Sequence, residues 1–370
     1  MSGTTGGDRP WVLITGIGGL LGTKFAEALY PAYRIIGIDR KEEDNLPTHV
    51  PYDYLAVDLT SDGDTARVLA EVRERTAGRL ASVIHLAAYY DFAGEPSPLY
   101  ETLTVQGTRR LLRGLLTFES VEQFVFSSSL LVMKPNNAPG KIDENSPVEG
   151  KWAYPESKIR AEEVIREEHD GIPAVILRIA GVYDERGHSL PLGQQIGRIY
   201  EKRLEGYFYP GDSSRGQALV HLDDLADLCR RVVDRRGDLG EYEVFLVAEP
   251  DVMSYGELQD RLGELIHGDE WPTVRVPKLV AKAGAYVKDK LAELTDDERP
   301  FIKPWMIDLA DDHYEADVTK ARTKLGWEPR RRLRDTLPAI VESLKRDPVT
   351  FYKENYLPVT EEVERRAGRT

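Results

Sequence analysis

The stretch Trp11-Val-Leu-Ile-Thr15-Gly16-Ile-Gly18-Gly19-Leu20-Leu21-Gly22 constrains this chain more than any other. Four apolar residues run into a turn that glycine dominates, and Lys24, Phe25, Ala26, Glu27, Ala28 and Leu29 behind it have helix-forming composition. The pattern predicts a strand, a tight loop and a helix. Gly16, Gly19 and Gly22 would let the backbone turn sharply, approach a pyrophosphate closely and pack the helix against the strand. The amides of the first helical turn, at Leu20, Leu21 and Gly22, would then face the phosphates, where the helix dipole favours negative charge. Glycine clusters also occur in plain turns; the flanking strand and helix turn this one into a dinucleotide-site expectation.

The segments that follow converge on the same end of one sheet. Tyr33 to Ile38 reads as a buried strand that ends in Asp39, 23 residues beyond Gly16 and close to the spacing at which an acid meets a ribose. Asp39 would repel a 2′-phosphate and so favours NAD. Arg40 beside it leaves NADP possible. Tyr54 to Leu59 reads as a third strand carrying Asp58, and Ser82 to Ala88 as a fourth with an end of small side chains. His85 in that strand reads as a core histidine. A long helical pattern from Leu99 to Phe118 leads to Gln123-Phe-Val-Phe-Ser127-Ser128-Ser129, a fifth strand ending in hydroxyls. Strands alternating with helices predict an α/β chain with a doubly wound parallel sheet, a Rossmann fold, whose ligands sit beyond the carboxyl ends of the strands. The glycine loop, Asp39, Asp58, Ala87 and the serines all fall there.

Beyond this sheet comes Trp152-Ala-Tyr154-Pro155-Glu-Ser-Lys158. Pro155 suits a first helical turn, and Tyr154 and Lys158, four apart, share a helix face. A phenol with a pKa near 10 is a poor base at neutral pH; an adjacent ammonium is expected to stabilise the phenolate and lower that value. Ser129 would hold a substrate oxygen while a hydride moves to or from its carbon.

Composition excludes several alternatives. A net charge of −14 leaves no broad basic face for nucleic acid; Arg330-Arg-Arg-Leu-Arg334 reads as a solvated helix start. The single cysteine, Cys229, excludes an intramolecular disulfide and reads as a small core residue, and the seven histidines show no metal-ligand spacing, so no metal is expected. Residues 1–10 read as a flexible start without signal-peptide character, and no stretch matches a membrane helix. The expectation is a cytoplasmic protein with a small-molecule substrate and neither nucleic acid nor membrane as partner.

Taken together, Thr15-Gly16-x-x-Gly19-x-x-Gly22, Asp39, Asp58-Leu59, His85-Leu86-Ala87-Ala88, Ser127-Ser-Ser129 and Tyr154-x-x-x-Lys158 resemble the extended short-chain dehydrogenase/reductases, the group of NAD-dependent epimerases and dehydratases. The resemblance continues through Leu177-Arg178-Ile-Ala-Gly181, Val220-His-Leu-Asp223-Asp224 and Leu325-Gly326-Trp327, and spans about Trp11 to Leu344. It implies that Tyr154 is the acid/base, that Lys158 binds the nicotinamide ribose and tunes the tyrosine, and that Ser129 orients the substrate. It also implies that Asp39 holds the adenosine ribose, that Asp58 reaches the adenine with Leu59 beside it, and that Leu86, Ala87 and Ala88 line the cofactor. A homodimer through the helices near Leu99 to Phe118 and Tyr154 to Glu168 is a further implication.

Departures from the family pattern bear on the substrate. Thr104 stands where many relatives have asparagine. Gly181 stands where nucleotide-sugar epimerases have asparagine, and Gln217 where they have the arginine that grips a diphosphate. Arg215 and Arg178 are the candidates to replace it. Residues 11–182 read as the NAD-binding domain, with returns near 217–248. Residues 183–216 and 249–344 read as a smaller C-terminal substrate lobe, and 345–370 as a tail. In that lobe Gln194 to Leu204 reads as a helix, Tyr207-Phe-Tyr209 as pocket lining or core, Tyr242 to Val247 as a return to the sheet, and Pro277 to Leu294 as an amphipathic helix in the core or an interface. The functional expectation is hydride transfer at a hydroxyl or carbonyl carbon, by a sugar or nucleotide-sugar epimerase or dehydratase or by a dehydrogenase of another small molecule. A non-catalytic dinucleotide sensor is the rival.

Overall fold

The computed structural model describes residues 9–40, 50–91, 94–136, 140–295 and 302–368. Its first half alternates as the periodicity requires: β1 (Trp11–Thr15), α1 (Leu20–Leu29), β2 (Arg34–Asp39), β3 (Asp53–Ala56), α2 (Asp62–Arg75), β4 (Ser82–His85), a π-helical turn (Tyr100–Val105) running into α3 (Gln106–Leu115), β5 (Phe124–Ser129), α4 (Ala153–Glu168) and β6 (Ala174–Ile179). After α5 (Leu190–Tyr200) and α6 (Leu222–Asp234), β7 (Tyr242–Val247) returns to the sheet as its periodicity predicts. The seven strands are all parallel, in the order β7-β6-β5-β4-β1-β2-β3. The order reverses between β1 and β4, and that reversal opens the crevice in which such sheets bind ligands.

Period-two alternation sends successive side chains to opposite faces. Val12 and Ile14 pack with Phe25 of α1 and Leu225 of α6 on one face, whereas Leu13 packs with Val68 of α2, Leu111 of α3 and Val164 of α4 on the other. Cys229 is buried in the first of these cores, and desolvation pushes its thiol pKa up. Two strands are shorter than their apolar runs suggest. β3 stops at Ala56 because the Asp58 amide turns to the Asp64 carboxylate (2.6 Å), and β4 stops at His85 because the next two amides turn to the Thr15 hydroxyl.

The remaining chain folds as α7 (Tyr255–His267), α8 (Lys278–Thr295), α9 (Pro304–Asp308), α10 (Thr319–Leu325), α11 (Leu333–Arg346), α12 (Pro348–Glu354) and α13 (Glu361–Ala367). A separate apolar core joins α5, α7, α11 and α12 through Ile196, Leu262, Leu337 and Phe351, and takes in Val363 of α13. The arginine run before α11 behaves as the solvated start expected of it, with Arg331 and Arg334 in exposed ion pairs. The apolar side of α8, in contrast, is not core. Leu279 is 81 % exposed, and Val280, Ala283 and Val287 are exposed with it. The helix is held by Lys278 and Lys282 reaching Asp311 and Asp308 on the segment after α9 and at its end, not by its apolar stripe. No helix among the described residues is long and apolar enough to cross a membrane.

Candidate active site

The glycine loop leaves β1 with Gly16 in the left-handed region (φ +71°). A Cβ on Gly22 would lie 2.3 Å from the Gly16 carbonyl oxygen and 2.7 Å from Ile17 Cα, so α1 starts where it does because position 22 carries no side chain. No acidic residue occupies the first turn of α1, and its amides meet no competing carboxylate there. The Gly18 amide donates to Asp39 Oδ2 (3.0 Å), joining the loop to the carboxylate at the end of β2. Asp39 Oδ1 accepts from the amide of Arg40, which is itself exposed. A loop of glycines whose one side chain, Ile17, is buried in the core, free helical amides and an acid fixed beside them fit the pyrophosphate and ribose of NAD. Asp58 is exposed, and its Oδ1 accepts from the amide and hydroxyl of Thr60 (2.9 and 2.7 Å). The Leu59 side chain is buried in the core against α2 and α3, so any contact it makes with the cofactor comes from its backbone.

Behind the loop, a chain of hydrogen bonds explains His85 and Thr104. Thr15 Oγ1 accepts from the amides of Leu86 and Ala87 (both 3.1 Å), so its own proton goes to His85 Nδ1 (2.7 Å). His85 Nε2–H then donates to Thr108 Oγ1 (3.0 Å), which donates to the Thr104 carbonyl (2.6 Å). Burial holds the His85 pKa down at about 3, so the ring stays neutral and structural. Thr104, in the π-helical turn, accepts from the Tyr89 amide (3.0 Å). The threonine in place of asparagine is thus tied to the segment leaving β4.

The candidate catalytic residues sit at the end of β5 and the start of α4. Each serine there has a different duty. Ser127 donates to the His85 carbonyl (3.1 Å), Ser128 to Glu162 Oε1 (2.5 Å), and Ser129 Oγ, held by the Leu131 amide (3.2 Å), faces the cavity with Tyr154 and Lys158. The Tyr154 ring packs edge-on against Tyr90 (4.8 Å) and beside Trp152 (5.5 Å). Lys158 Nζ donates to the Ser127 carbonyl (2.7 Å) and lies 4.7 Å from the Phe126 ring centre. Desolvation, not the ammonium, dominates the tyrosine: it pushes the phenol up to about 12, with a hydrogen bond from Ser129 pulling the other way. The same desolvation brings Lys158 down to about 7, opposed by the Glu162 carboxylate. Burial thus raises the tyrosine in this chain, against the lowering expected from an adjacent ammonium.

Glu162 was not anticipated, although Tyr154, Lys158 and Glu162 follow one another at the four-residue spacing of a single helix face. It forms a buried bidentate pair with Arg178 (2.7 and 3.2 Å), both side chains 6 % exposed. Arg178 is thereby committed beneath the sheet end and does not replace the missing diphosphate clamp. Replacing Glu162 with alanine leaves that guanidinium buried and unpaired, and should cost about 3–5 kcal/mol of unfolding free energy in a denaturant titration. A loss under 1 kcal/mol would mean that the pair is not load-sharing in the fold.

The cavity above these residues has a volume of about 1230 Å³. That exceeds the roughly 300–1,000 Å³ of a pocket for one small molecule and leaves room for a nicotinamide end and a substrate. Leu20, Leu21, Leu86 and Ala88 line it on the dinucleotide side; Gln195, Arg198, Phe208, Tyr209, Tyr255 and Trp305 line it from the lobe. Tyr207 to Tyr209 therefore divide their duties, with Phe208 and Tyr209 on the wall and Tyr207 stacked on Trp271 (4.5 Å). Gly181 and Gln217 are also on the wall. A Cβ at Gly181 would come within 2.6 Å of the Leu219 side-chain tip, so a larger residue there needs that side chain to move aside. Arg215 pairs with Asp212 (3.4 Å) and lies outside the lining. Elsewhere, Glu185, His221 and Asp223 bring three metal-competent groups together. His221 Nδ1 accepts from the Asp223 amide (3.1 Å), which leaves the proton on Nε2, and Arg331 pairs with both acids while Lys24 takes Asp223. The cluster is neutralised from within the chain.

Residues 12–248 match the model of the NAD dependent epimerase/dehydratase family. The chain belongs to this family. It is accordingly an NAD-dependent enzyme, and the fold and glycine loop already described fit that cofactor. An N-acetyl-alpha-D-glucosaminyl-diphospho-ditrans,octacis-undecaprenol 4-epimerase of Escherichia coli O157:H7 is 25% identical over 296 residues, 77% of this chain and 80% of that protein. A decarboxylating sterol-4-alpha-carboxylate 3-dehydrogenase of Candida albicans is 24% identical over 343 residues, 86% of this chain and 93% of the other. Among solved structures, a dTDP-glucose 4,6-dehydratase from Streptomyces venezuelae with NAD bound superposes with a TM-score of 0.67 at 22% identity, covering 93% of this chain and 99% of that one.

Proposed function

We propose that the enzyme moves a hydride between NAD and a hydroxyl or carbonyl carbon of a small molecule, with Tyr154 as acid/base. The observation that supports this most is that Ser129, Tyr154 and Lys158 share one cavity wall with Leu20, Leu21, Leu86 and Ala88 beside the glycine loop. NAD supplies the hydride acceptor or donor. Ser129 holds the substrate oxygen, and Tyr154, protonated at neutral pH, gives that oxygen a proton when a carbonyl is reduced or receives one when an alcohol is oxidised. Lys158 stabilises the phenolate side of that exchange when it carries its charge, and Glu162 behind it favours the charged form.

Within this reading a sugar is a natural substrate, since the Escherichia coli relative is named for a sugar carried on a diphosphate lipid. The second reading, net oxidation or reduction of a molecule without a nucleotide, is favoured by Gly181 and Gln217 in the wall and by Arg178 being spent on Glu162. Incubation with candidate substrates and NAD, followed at the nicotinamide absorbance, separates them. Product formation without net NADH marks an epimerase or dehydratase, and stoichiometric NADH marks a dehydrogenase. Absence of either, with NAD binding intact, would leave the dinucleotide-sensing alternative.

A further inference from the structure

The charges on the cavity wall are almost all accounted for. Asp312 pairs with Lys151 (2.8 Å), Glu205 with Lys288, Glu354 with Arg186, and His188 with Asp184 (2.6 Å). Glu249 accepts from the Tyr183 hydroxyl and the Leu333 amide, and burial raises its pKa to about 8, which keeps it largely neutral at pH 7. Lys158 is engaged with the Ser127 carbonyl.

Arg198 is different. It lines the cavity from α5, one turn beyond Gln195 on the same helix face, and its guanidinium makes no hydrogen bond or ion pair among the described residues. Its charged neighbours repel it: Arg203 acts on it directly, and Arg198 in turn acts on Lys288; among the described residues the only group that favours its charge is the Tyr209 phenol, whose own pKa burial pushes up. Those two cations have their own acids, Glu201 and Glu205, whereas Arg198 has none. Burial draws its pKa down to about 10, and it remains a cation at neutral pH. A half-buried guanidinium without a partner is costly unless something in the cavity completes it, and the planar fork suits a carboxylate or a phosphate oxygen pair.

We infer that Arg198 is the substrate's anion anchor, binding a carboxylate or phosphoryl group at the lobe end of the cavity while Ser129 and Tyr154 take the reacting oxygen at the other. This places the anion grip on α5, not at position 217, where this chain has glutamine. The inference rests on the hydride-transfer reading only for calling the ligand a substrate.

Isothermal titration of the NAD-loaded protein with inorganic pyrophosphate and, separately, with glucuronate tests it. One of the two is expected to bind, pyrophosphate marking a phosphoryl source and glucuronate a carboxylate source. Its Kd should rise about tenfold or more in Arg198→Met, the loss expected for a hydrogen bond to a charged group, and less in Arg198→Lys. NAD affinity, unchanged in both variants, shows that they fold. If neither probe binds, or if the bound probe is indifferent to Arg198→Met, the anchor is wrong. Tyr154→Phe should bind the probe as wild type does. If that variant turned over normally, hydride transfer through Tyr154 would fall while the anchor stood.

Discussion

Tyr154→Phe is expected to lower turnover by about 10²–10⁴-fold while leaving NAD affinity within twofold, because in the proposed mechanism the phenol hydroxyl transfers the proton, and the ring keeps its packing against Tyr90 and Trp152. The pH dependence follows from the pair, with Tyr154 raised to about 12 and Lys158 lowered to about 7. Alcohol oxidation needs the phenolate beside the ammonium, one proton fewer than the form present at low pH. That state shares its proton count with neutral Lys158 and neutral Tyr154, so its share of the singly deprotonated pair is constant above pH 7. Oxidation should therefore rise about tenfold per pH unit up to about 7 and then level, and carbonyl reduction should do the reverse, level below 7 and falling above it. Lys158→Met removes the break near 7 in both directions. Pre-steady-state rates of nicotinamide reduction between pH 5 and 10 read this directly; an oxidation profile flat below pH 7 would remove Tyr154 and Lys158 from the proton path.

Gly22→Ala should weaken NAD binding by about 10–100-fold, the range for losing hydrogen bonds to a charged group, and should also lower the melting temperature. Alanine is the better helix former by about 1 kcal/mol, which argues the other way. The clash decides the sign. The new Cβ would meet only backbone, the Gly16 carbonyl at 2.3 Å and Ile17 Cα and carbonyl at 2.7 Å, and backbone in a tight loop cannot swing aside as a side-chain end can. Overpacking of this kind costs about 1–3 kcal/mol or more, and it moves the amides that face the pyrophosphate. Gly63→Ala is the control. It lies on α2 with nothing within 4 Å of the new Cβ, and it should be neutral or slightly stabilising with unchanged NAD affinity. Equal effects at both positions would refute the loop argument.

The sheet and the cofactor side of the site were legible in the sequence because they rest on local patterns. Apolar runs of strand length, glycines at fixed spacing, an acid at a strand end and a tyrosine and lysine four apart all survive without knowledge of any distant contact. His85 also read correctly as a core residue. What the sequence left open depended on what lies across space. The apolar stripe of α8 read as core or interface, since periodicity reports which side chains share a face, not what covers it; within this chain that face is exposed. Leu59 followed the motif into the candidate cofactor set, and only the fold shows that its side chain belongs to the core under α3 and that its backbone is what could meet a ligand.

By itself, the sequence determined a parallel α/β sheet, a dinucleotide loop with Asp39 beside it and the Ser129, Tyr154, Lys158 set, since each is encoded within one strand or one helix turn. Only the tertiary structure decided the charge states and the free groups. Tyr154 and Lys158 shift because of how deeply they are buried, and Arg178 is lost to Glu162 from another element. Arg198 stands alone because no acid from any described element reaches it. Desolvation and ion pairing are sums over neighbours far apart in the chain, and those neighbours exist only once it is folded.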